Sequence, residues 1–371
     1  MIQALLDATP ADGVCVLPGG TIDVPQHTQF TVPRPMTVEG NGTVIRVVDG
    51  VGNLSTVPPT AHLFQASTLA NGSRLEVRDL TIVGPDTTGW DPQLNNNRAA
   101  INYVLGSSHM STVVLDNVTI TGGYGYGLQR SGGGELRIHR SSLSGWVGGY
   151  AFFESHGKPG HLVCTDTTLD APAVSKWDSI GAYITPSMRV TWNNVTGSDW
   201  NRYLCYLNGS MQAPVKHRLS SVEAHGCSLV QTGILSEATL VGCAEYGPVR
   251  NGGSYLMGPV RSTGCTWAGG VIGLRSNDNV HRCFFGDTIT KASTWLAAGA
   301  NTTGTVKLVE CQVKGGVRTN PASTVAVTLQ SCTIDDPGAG NYTLNLEGGS
   351  ARLVDTPTPS RVRVVAPGVL H

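Results

Sequence analysis

The sequence is poor in charge. Only 14% of its 371 residues are Asp, Glu, Lys or Arg, and the formal net charge is −1. That balance offers no basic footprint for nucleic acid and no polybasic patch for a membrane surface. No apolar run approaches the length of a membrane span, and the N-terminus lacks the basic and apolar regions of a signal peptide. Cys-x-x-Cys pairs are missing, as is any Asp-rich metal cluster, so neither a metal nor a cofactor is expected. Helical periodicity is scarce too, and what fills its place is alternation with period two.

The stretch from Thr112 to Gly123 carries the pattern most clearly. Val113 and Leu115 share one parity, Val118 and Ile120 the other, and the phase switches at Asp116-Asn117. Alternation means a strand with one apolar face. A phase switch at Asp-Asn means a bend, because these residues tolerate the left-handed backbone better than most. The template recurs with second corner residues at 79, 117, 140, 166, 194, 221, 242, 264, 282, 310 and 331. After a first interval of 38, the spacings run 23, 26, 28, 27, 21, 22, 18, 28 and 21. Self-similarity at this period marks a stacked repeat in which no unit buries its apolar face alone. Strand-corner-strand units without helices between them predict an all-β, single-stranded right-handed parallel β-helix of about 12 coils. The 47 glycines supply its turns.

Cysteine placement extends the pattern. Cys243, Cys265, Cys283, Cys311 and Cys332 each fall one residue after a corner on five successive coils. With coils about 4.8 Å apart, these thiols should stack as an inward column of small buried groups. In-register side chains point the same way rather than at each other, which disfavours a disulfide ladder. Free thiols fit folding in a reducing cytoplasm. Eight Asn-x-Ser/Thr sequons occur, and those at Asn117 and Asn194 read as corners rather than as glycosylation sites.

In residues 1–13 the apolar Ile2, Leu5 and Leu6 precede a Pro-Ala-Asp-Gly stop, which predicts a short amphipathic helix. A first coil has an exposed edge, and such a helix would cover it. Ile2-Gln3, the run Val-Cys-Val-Leu-Pro-Gly-Gly at 14–20 and the turn Val38-Glu39-Gly40-Asn41-Gly42-Thr43 resemble the N-terminal cap of the pectate-lyase-like superfamily. That superfamily includes polysaccharide lyases, polygalacturonase-type hydrolases, uronate epimerases and phage tailspikes. The resemblance implies the fold and leaves the chemistry open. The superfamily's polygalacturonase and calcium-lyase motifs are not visible, which speaks against a pectin-type activity. Residues 1–50 are assigned to the cap and first coils, and residues 51–371 to one continuous β-helix with a Pro-rich exit.

Aromatics beside carboxylates suit a carbohydrate groove, with ring faces for stacking and acids for hydroxyls and the glycosidic oxygen. Glu154, His156 and Lys158 share one loop, Trp177 and Asp178 the next, then Asp199, Trp200, Arg202 and Tyr203, then Glu223 and His225. Later segments of the coils would align Arg130, Glu154, Asn208, Glu237 and Arg275 along one lateral edge. The insertion at 84–98 brings Trp90, Asp91 and Arg98, and Asp335-Asp336 reads as a turn. Hydrolysis needs two carboxylates roughly 5–9.5 Å apart, which makes Glu154 with Asp178, or Asp199 with Glu223, the catalytic candidates. Lyase chemistry needs a base beside a neutralised carboxylate, a part open to His156, Lys158 or Arg202. Trp177, Trp200, Tyr203, His225, Trp90 and Arg130 complete the substrate-binding set.

Three functions follow. The first is a phage tail-associated protein, made in the cytoplasm and carried in the virion, that binds host surface polysaccharide, with its depolymerisation left open and a homotrimer the assembly that would favour this reading. The second is a secreted polysaccharide lyase, hydrolase or epimerase. The third is a non-catalytic adhesive solenoid. Polysaccharide is the expected partner, with no nucleic acid and no membrane span.

Overall fold

The computed structural model describes residues 1–25, 28–48, 60–66, 69–84, 100–104, 111–123, 128–130, 133–146, 151–155, 159–171, 180–184 and 188–207. Beyond these it describes 215–233, 236–247, 253–268, 271–272, 279–290, 294–297, 303–319, 323–335, 342, 344–357, 360–364 and 369–371. The described chain is an all-β parallel solenoid with one short helix, Ile2–Ala8. Packing divides it into two units, Met1–Cys205 and Tyr206–His371.

In the first unit, Gly13–Val16 pairs in parallel with Met36–Glu39, which pairs with Arg74–Val83. The ladder continues through Ser111–Gly123, Gly134–His139 with Ser142–Trp146, Gly160–Asp170 and Met188–Ser198. A second parallel sheet starts at Phe30–Thr31 and runs through Thr60–Gln65, Ala100–Val104, Leu128–Arg130, Ala151–Ser155 and Ile180–Ile184. Alternate residues of each long strand point inward, as in Arg74–Val83, where Leu75, Val77, Leu80 and Ile82 are all at most 1% exposed. The phase switch between Val77 and Leu80 is the bend expected at Arg78-Asp79.

The helix closes the exposed edge by substituting for a strand. Ile2 and Leu6 are buried, while the Gln3 side-chain amide accepts from Thr31 N–H at 2.9 Å and donates to Thr31 O at 3.0 Å. Both main-chain groups of an edge residue are thereby taken. Gly40 marks a close approach, because a Cβ built there would lie 2.1 Å from Asp79 O.

In the second unit, Val215–His225 pairs with Ser236–Val241 and Ala244–Tyr246. The rungs continue through Val260–Thr263, Asn279–Phe285, Thr303–Val309, Ala326–Gln330 and Ser350–Val354. A further parallel sheet stacks Thr294–Ala297, Val317–Thr319, Leu344–Leu346 and Val362–Val364. The coil count differs slightly from the 12 expected. Rungs at Gly13–Val16, Met36–Glu39 and Ser350–Val354 join the ladder although the corner series read from the sequence runs only from 79 to 331.

Ten of the eleven expected corners adopt a left-handed backbone: Asp79, Asn117, Arg140, Asp166, Asn194, Ser221, Gly242, Gly264, Glu310 and Ser331, with φ between 47° and 63°. The eleventh is misplaced. In that coil the corner is Gly286, φ 62°, and not Arg282. Cys283 consequently stands on the outward parity, opposite Arg261 and Lys307, and is half-buried. The residue following the true corner is Asp287. The inward column therefore reads Cys243, Cys265, Asp287, Cys311, Cys332, all at most 1% exposed.

This column closes the corners. Cys243 N–H donates to Cys265 Sγ at 3.3 Å, Cys265 N–H to Asp287 Oδ1 at 3.0 Å, and Cys332 N–H to Thr356 Oγ1 at 3.1 Å. The first unit does the same: Val118 N–H donates to Ser141 Oγ at 3.1 Å, and Ser141 N–H to Thr167 Oγ1 at 3.5 Å. Asp287 also accepts from Ser262 Oγ and from Trp267 Nε1 at 2.9 Å. Burial pushes its carboxyl above the usual carboxylate range against those hydrogen bonds. All nine cysteines are free, and burial lifts the Cys164 thiol to about 12, which leaves it inert.

Two stability outcomes follow. Asp287→Ala strands three buried donors, Cys265 N–H, Ser262 Oγ–H and Trp267 Nε1–H, so urea unfolding should show a loss of about 3–9 kcal/mol. Asp287→Cys should lose less, since a thiol serves the equivalent amide one coil earlier. His217 is 4% exposed with neither ring nitrogen hydrogen-bonded, and burial lowers its pKa to about 4 from 6.5. The unfolded chain then binds a proton that the folded chain refuses. Stability attributable to this ring is complete above pH 6.5 and falls by about 3 kcal/mol as pH drops towards 4. The wild-type minus His217→Leu difference across that pH range should carry this slope.

Candidate functional site

Past the Ser221 corner, the strand Val215–His225 turns Val222 and Ala224 inward and Glu223 and His225 outward. On the next rung Tyr246 is opposite His225. The imidazole stacks on the Tyr246 ring with centroids 4.8 Å apart and planes 23° apart. Its Nε2 lies 3.3 Å from Glu223 Oε2. Glu223, His225 and Tyr246 are 46%, 43% and 42% exposed, so solvent and a ligand reach all three. An imidazole that donates Nε2–H to the carboxylate carries its lone pair on Nδ1. The group can therefore orient a sugar by stacking, hydrogen-bond its hydroxyls and exchange a proton. Two residues singled out in the sequence, Glu223 and His225, are brought together here. Tyr246 was missed, although its outward parity one rung after His225 would have found it.

The remaining sequence candidates fall elsewhere. Trp200 is 1% exposed and donates Nε1–H to Leu169 O at 2.8 Å, so its ring is core and presents no face to a sugar. Tyr203 is 6% exposed and equally interior. Asp199, φ 60°, and Arg202 are half-buried in the turn after Met188–Ser198, in the first unit, whereas Glu223 belongs to the second. Glu154 is in register with Gln129 and Tyr183, and Arg130 is opposite Ser155 rather than Glu154. The expected lateral row of Arg130 with Glu154 is thus offset by one residue. Trp90, Asp91, Arg98, His156, Lys158, Trp177, Asp178, Asn208, Arg275 and Asp336 lie outside the described residues.

The first unit holds a cluster that the sequence reading passed over. Glu135, His161 and Arg189 occupy one outward register on three consecutive rungs. Arg137 Nη2 reaches Glu135 Oε2 at 2.8 Å, and Arg189 Nη2 donates to His161 Nδ1 at 3.0 Å. His161 Nε2 is then the donor to Thr191 Oγ1 at 2.9 Å. Partial burial, followed by the Arg189 charge, lowers the His161 pKa and holds the ring neutral. With both nitrogens engaged, this imidazole is a structural link, not a poised base. Among the described residues no group of three His, Cys, Asp or Glu side chains is arranged to hold a metal ion. Among the described residues no helix is long and apolar enough to cross a membrane.

No family model matches the chain, and no curated protein matches it. Among solved structures it is similar to tailspike protein 3 of bacteriophage CBA120, with 12% identity, a TM-score of 0.42, and coverage of 97% of this chain and 59% of that one. The chain thus spans less than two thirds of that tailspike's length. It is also similar to the A-module of the mannuronan C-5 epimerase AlgE4 of Azotobacter vinelandii, with 13% identity, a TM-score of 0.33, and coverage of 99% and 94%. The parallel β-solenoid is the fold that the N-terminal resemblance implied.

Proposed function

We propose that this chain is a phage tail-associated β-helix protein, of the tailspike or minor tail kind, that binds host cell-surface polysaccharide. Depolymerisation is assigned to the Glu223–His225 pair. The observation that carries the reading is the half-exposed arrangement of Glu223, His225 and Tyr246, with an acid at 3.3 Å from an imidazole that is itself stacked on a phenol ring. Nine free cysteines favour synthesis in a reducing compartment, as for a protein released by lysis rather than exported. Within this reading Tyr246 positions the sugar, and the His225–Glu223 pair moves a proton at the glycosidic oxygen or beside a uronate carboxylate. The chain is expected to associate laterally as a homotrimer, which sedimentation checks.

Incubation with a panel of bacterial surface polysaccharides, followed by reducing-end and unsaturated-uronate assays, tests the activity. Glu223→Gln and His225→Ala should each lower cleavage by about 100-fold or more, while Tyr246→Ala should weaken binding by roughly fivefold to tenfold. Trp200→Phe should cost about 1–2 kcal/mol of stability and leave binding unchanged. Full cleavage by Glu223→Gln removes the pair from catalysis. Binding without cleavage by the wild type across the panel leaves the adhesive solenoid as the function.

A further inference from the structure

On the other side of the Ser221 corner, the second unit carries an outward column of a different character. The strand register places Arg218 opposite Thr239, Thr239 opposite Arg261, Arg261 opposite Cys283, Cys283 opposite Lys307, Lys307 opposite Thr328, and Thr328 opposite Arg352. Cations thus occupy every second rung, and small uncharged side chains fill the rungs between. Arg218, Arg261 and Arg352 are exposed, while Lys307 and Cys283 are half-buried. Among the described residues no ion pair joins any of the four cations to an acid.

The first unit supplies the contrast. There four outward cations are met by acids on the same or an adjacent rung, Arg46 by Asp23, Arg78 by Glu39, Arg137 by Glu135 and Arg140 by Asp116, while Arg189 meets the His161 imidazole. The charge is divided accordingly. Tyr206–His371 holds 13 of the 25 basic residues and 10 of the 26 acidic ones, a net of +3 against −4 for Met1–Cys205. The nearest outward acids to the stripe are Glu237, engaged with Lys216 at 3.6 Å, and the corner residues Glu310 and Asp355. The neighbouring outward column adds apolar surface at two of the uncharged rungs, where Val241 and Phe285 are each 37% exposed.

We infer that this stripe binds a linear acidic heteropolysaccharide laid along the solenoid axis, with an anionic sugar alternating with a neutral one. Rungs rise by about 4.8 Å, which is about the advance of one residue in an extended pyranose chain, so alternate rungs fall at a disaccharide repeat of about 9.6 Å. Arg218, Arg261, Lys307 and Arg352 meet the anionic sugars, and Thr239 and Thr328 meet hydroxyls of the neutral ones. From Arg218 to Arg352 the stripe covers six rung steps, about 29 Å, and an octasaccharide spans it. The inference deepens the polysaccharide-binding reading by naming the charge pattern of the chain, but it uses residues separate from Glu223, His225 and Tyr246.

The test uses hyaluronate octasaccharide, which has one carboxylate per disaccharide, with a dextran octasaccharide, octagalacturonate and duplex DNA as comparators. Cys283 is the one cysteine of nine that is not buried, and it sits inside the stripe. Bound hyaluronate should slow its alkylation by iodoacetamide about fivefold or more at low salt, with the protection lost near 0.5 M salt. Arg261→Gln with Lys307→Gln should weaken hyaluronate binding about tenfold or more, and Arg46→Gln, at an exposed cation already paired with Asp23, should leave it unchanged. Equal protection by dextran, equal protection by DNA at matched charge, or no loss in the double variant overturns the inference. Tighter binding of octagalacturonate in proportion to its doubled charge overturns the alternate register. If the double variant loses hyaluronate while Glu223→Gln cleaves every glycan normally, the stripe stands and the catalytic assignment falls.

Discussion

The structure depends on one hydrogen bond repeated at its corners. A left-handed residue turns the strand, and the amide that follows it points away from the sheet ladder. That amide is accepted by a side chain from the next coil: Ser141 for Val118, Thr167 for Ser141, Cys265 for Cys243, Asp287 for Cys265 and Thr356 for Cys332. The same side chains bind back across their own corner, as Ser141 Oγ does to His139 O at 2.7 Å and Thr167 Oγ1 to Thr165 O at 2.8 Å. An unmade buried bond costs about 1–3 kcal/mol, and a left-handed non-glycine residue about 1–2 kcal/mol. Such a corner is tolerable only when the neighbouring coil is in register. This explains how Arg140, Ser221, Glu310 and Ser331 hold conformations that favour glycine. It also explains why a mostly apolar core admits Ser, Thr, Cys and Asp at one position.

Because the side-chain period in a strand is two, the corner register fixes every outward column at once. The Glu223–His225–Tyr246 group and the Arg218-to-Arg352 stripe lie on opposite sides of one line of corners in the second unit. In the first unit the equivalent outward column is neutralised within itself through Glu76 with Arg74 and Arg137 with Glu135. One backbone repeat therefore carries one surface closed by ion pairs and another open to an acidic chain.

Much of this was legible in the sequence. Apolar alternation located the rungs, because burial on one face is what selects the residues. Corner positions were legible where Asp, Asn or Gly stands, as at Asp79, Asn117 and Gly264, and even at Arg140 and Ser331, where spacing and phase supplied the signal. The failure at residue 282 came from treating Cys as the diagnostic residue after a corner. The two anomalous intervals of 18 and 28 were the warning, since a corner at Gly286 turns them into 22 and 24. The position requires a hydrogen-bond acceptor of small reach, and Asp287 serves as well as Cys. The site was less legible because clustering along the sequence differs from clustering on a face. Trp200 lies beside Asp199 and Arg202 in the sequence but points into the core, whereas Tyr246 is 21 residues from His225 and touches it. Sorting the outward positions rung by rung, rather than loop by loop, would have brought Glu135, His161 and Arg189 together and exposed the alternation of charge from Arg218 to Arg352.

Amide hydrogen exchange at Val118, measured in the wild type and in Ser141→Ala, tests the corner bond most directly. The side-chain acceptor account predicts that Val118 is protected in the wild type about as strongly as its ladder neighbours Leu115 and Ile120. In the variant, exchange at Val118 should accelerate by about tenfold or more beyond any change at those neighbours. Equal protection of Val118 in the two proteins, or rapid exchange there in the wild type, would contradict it.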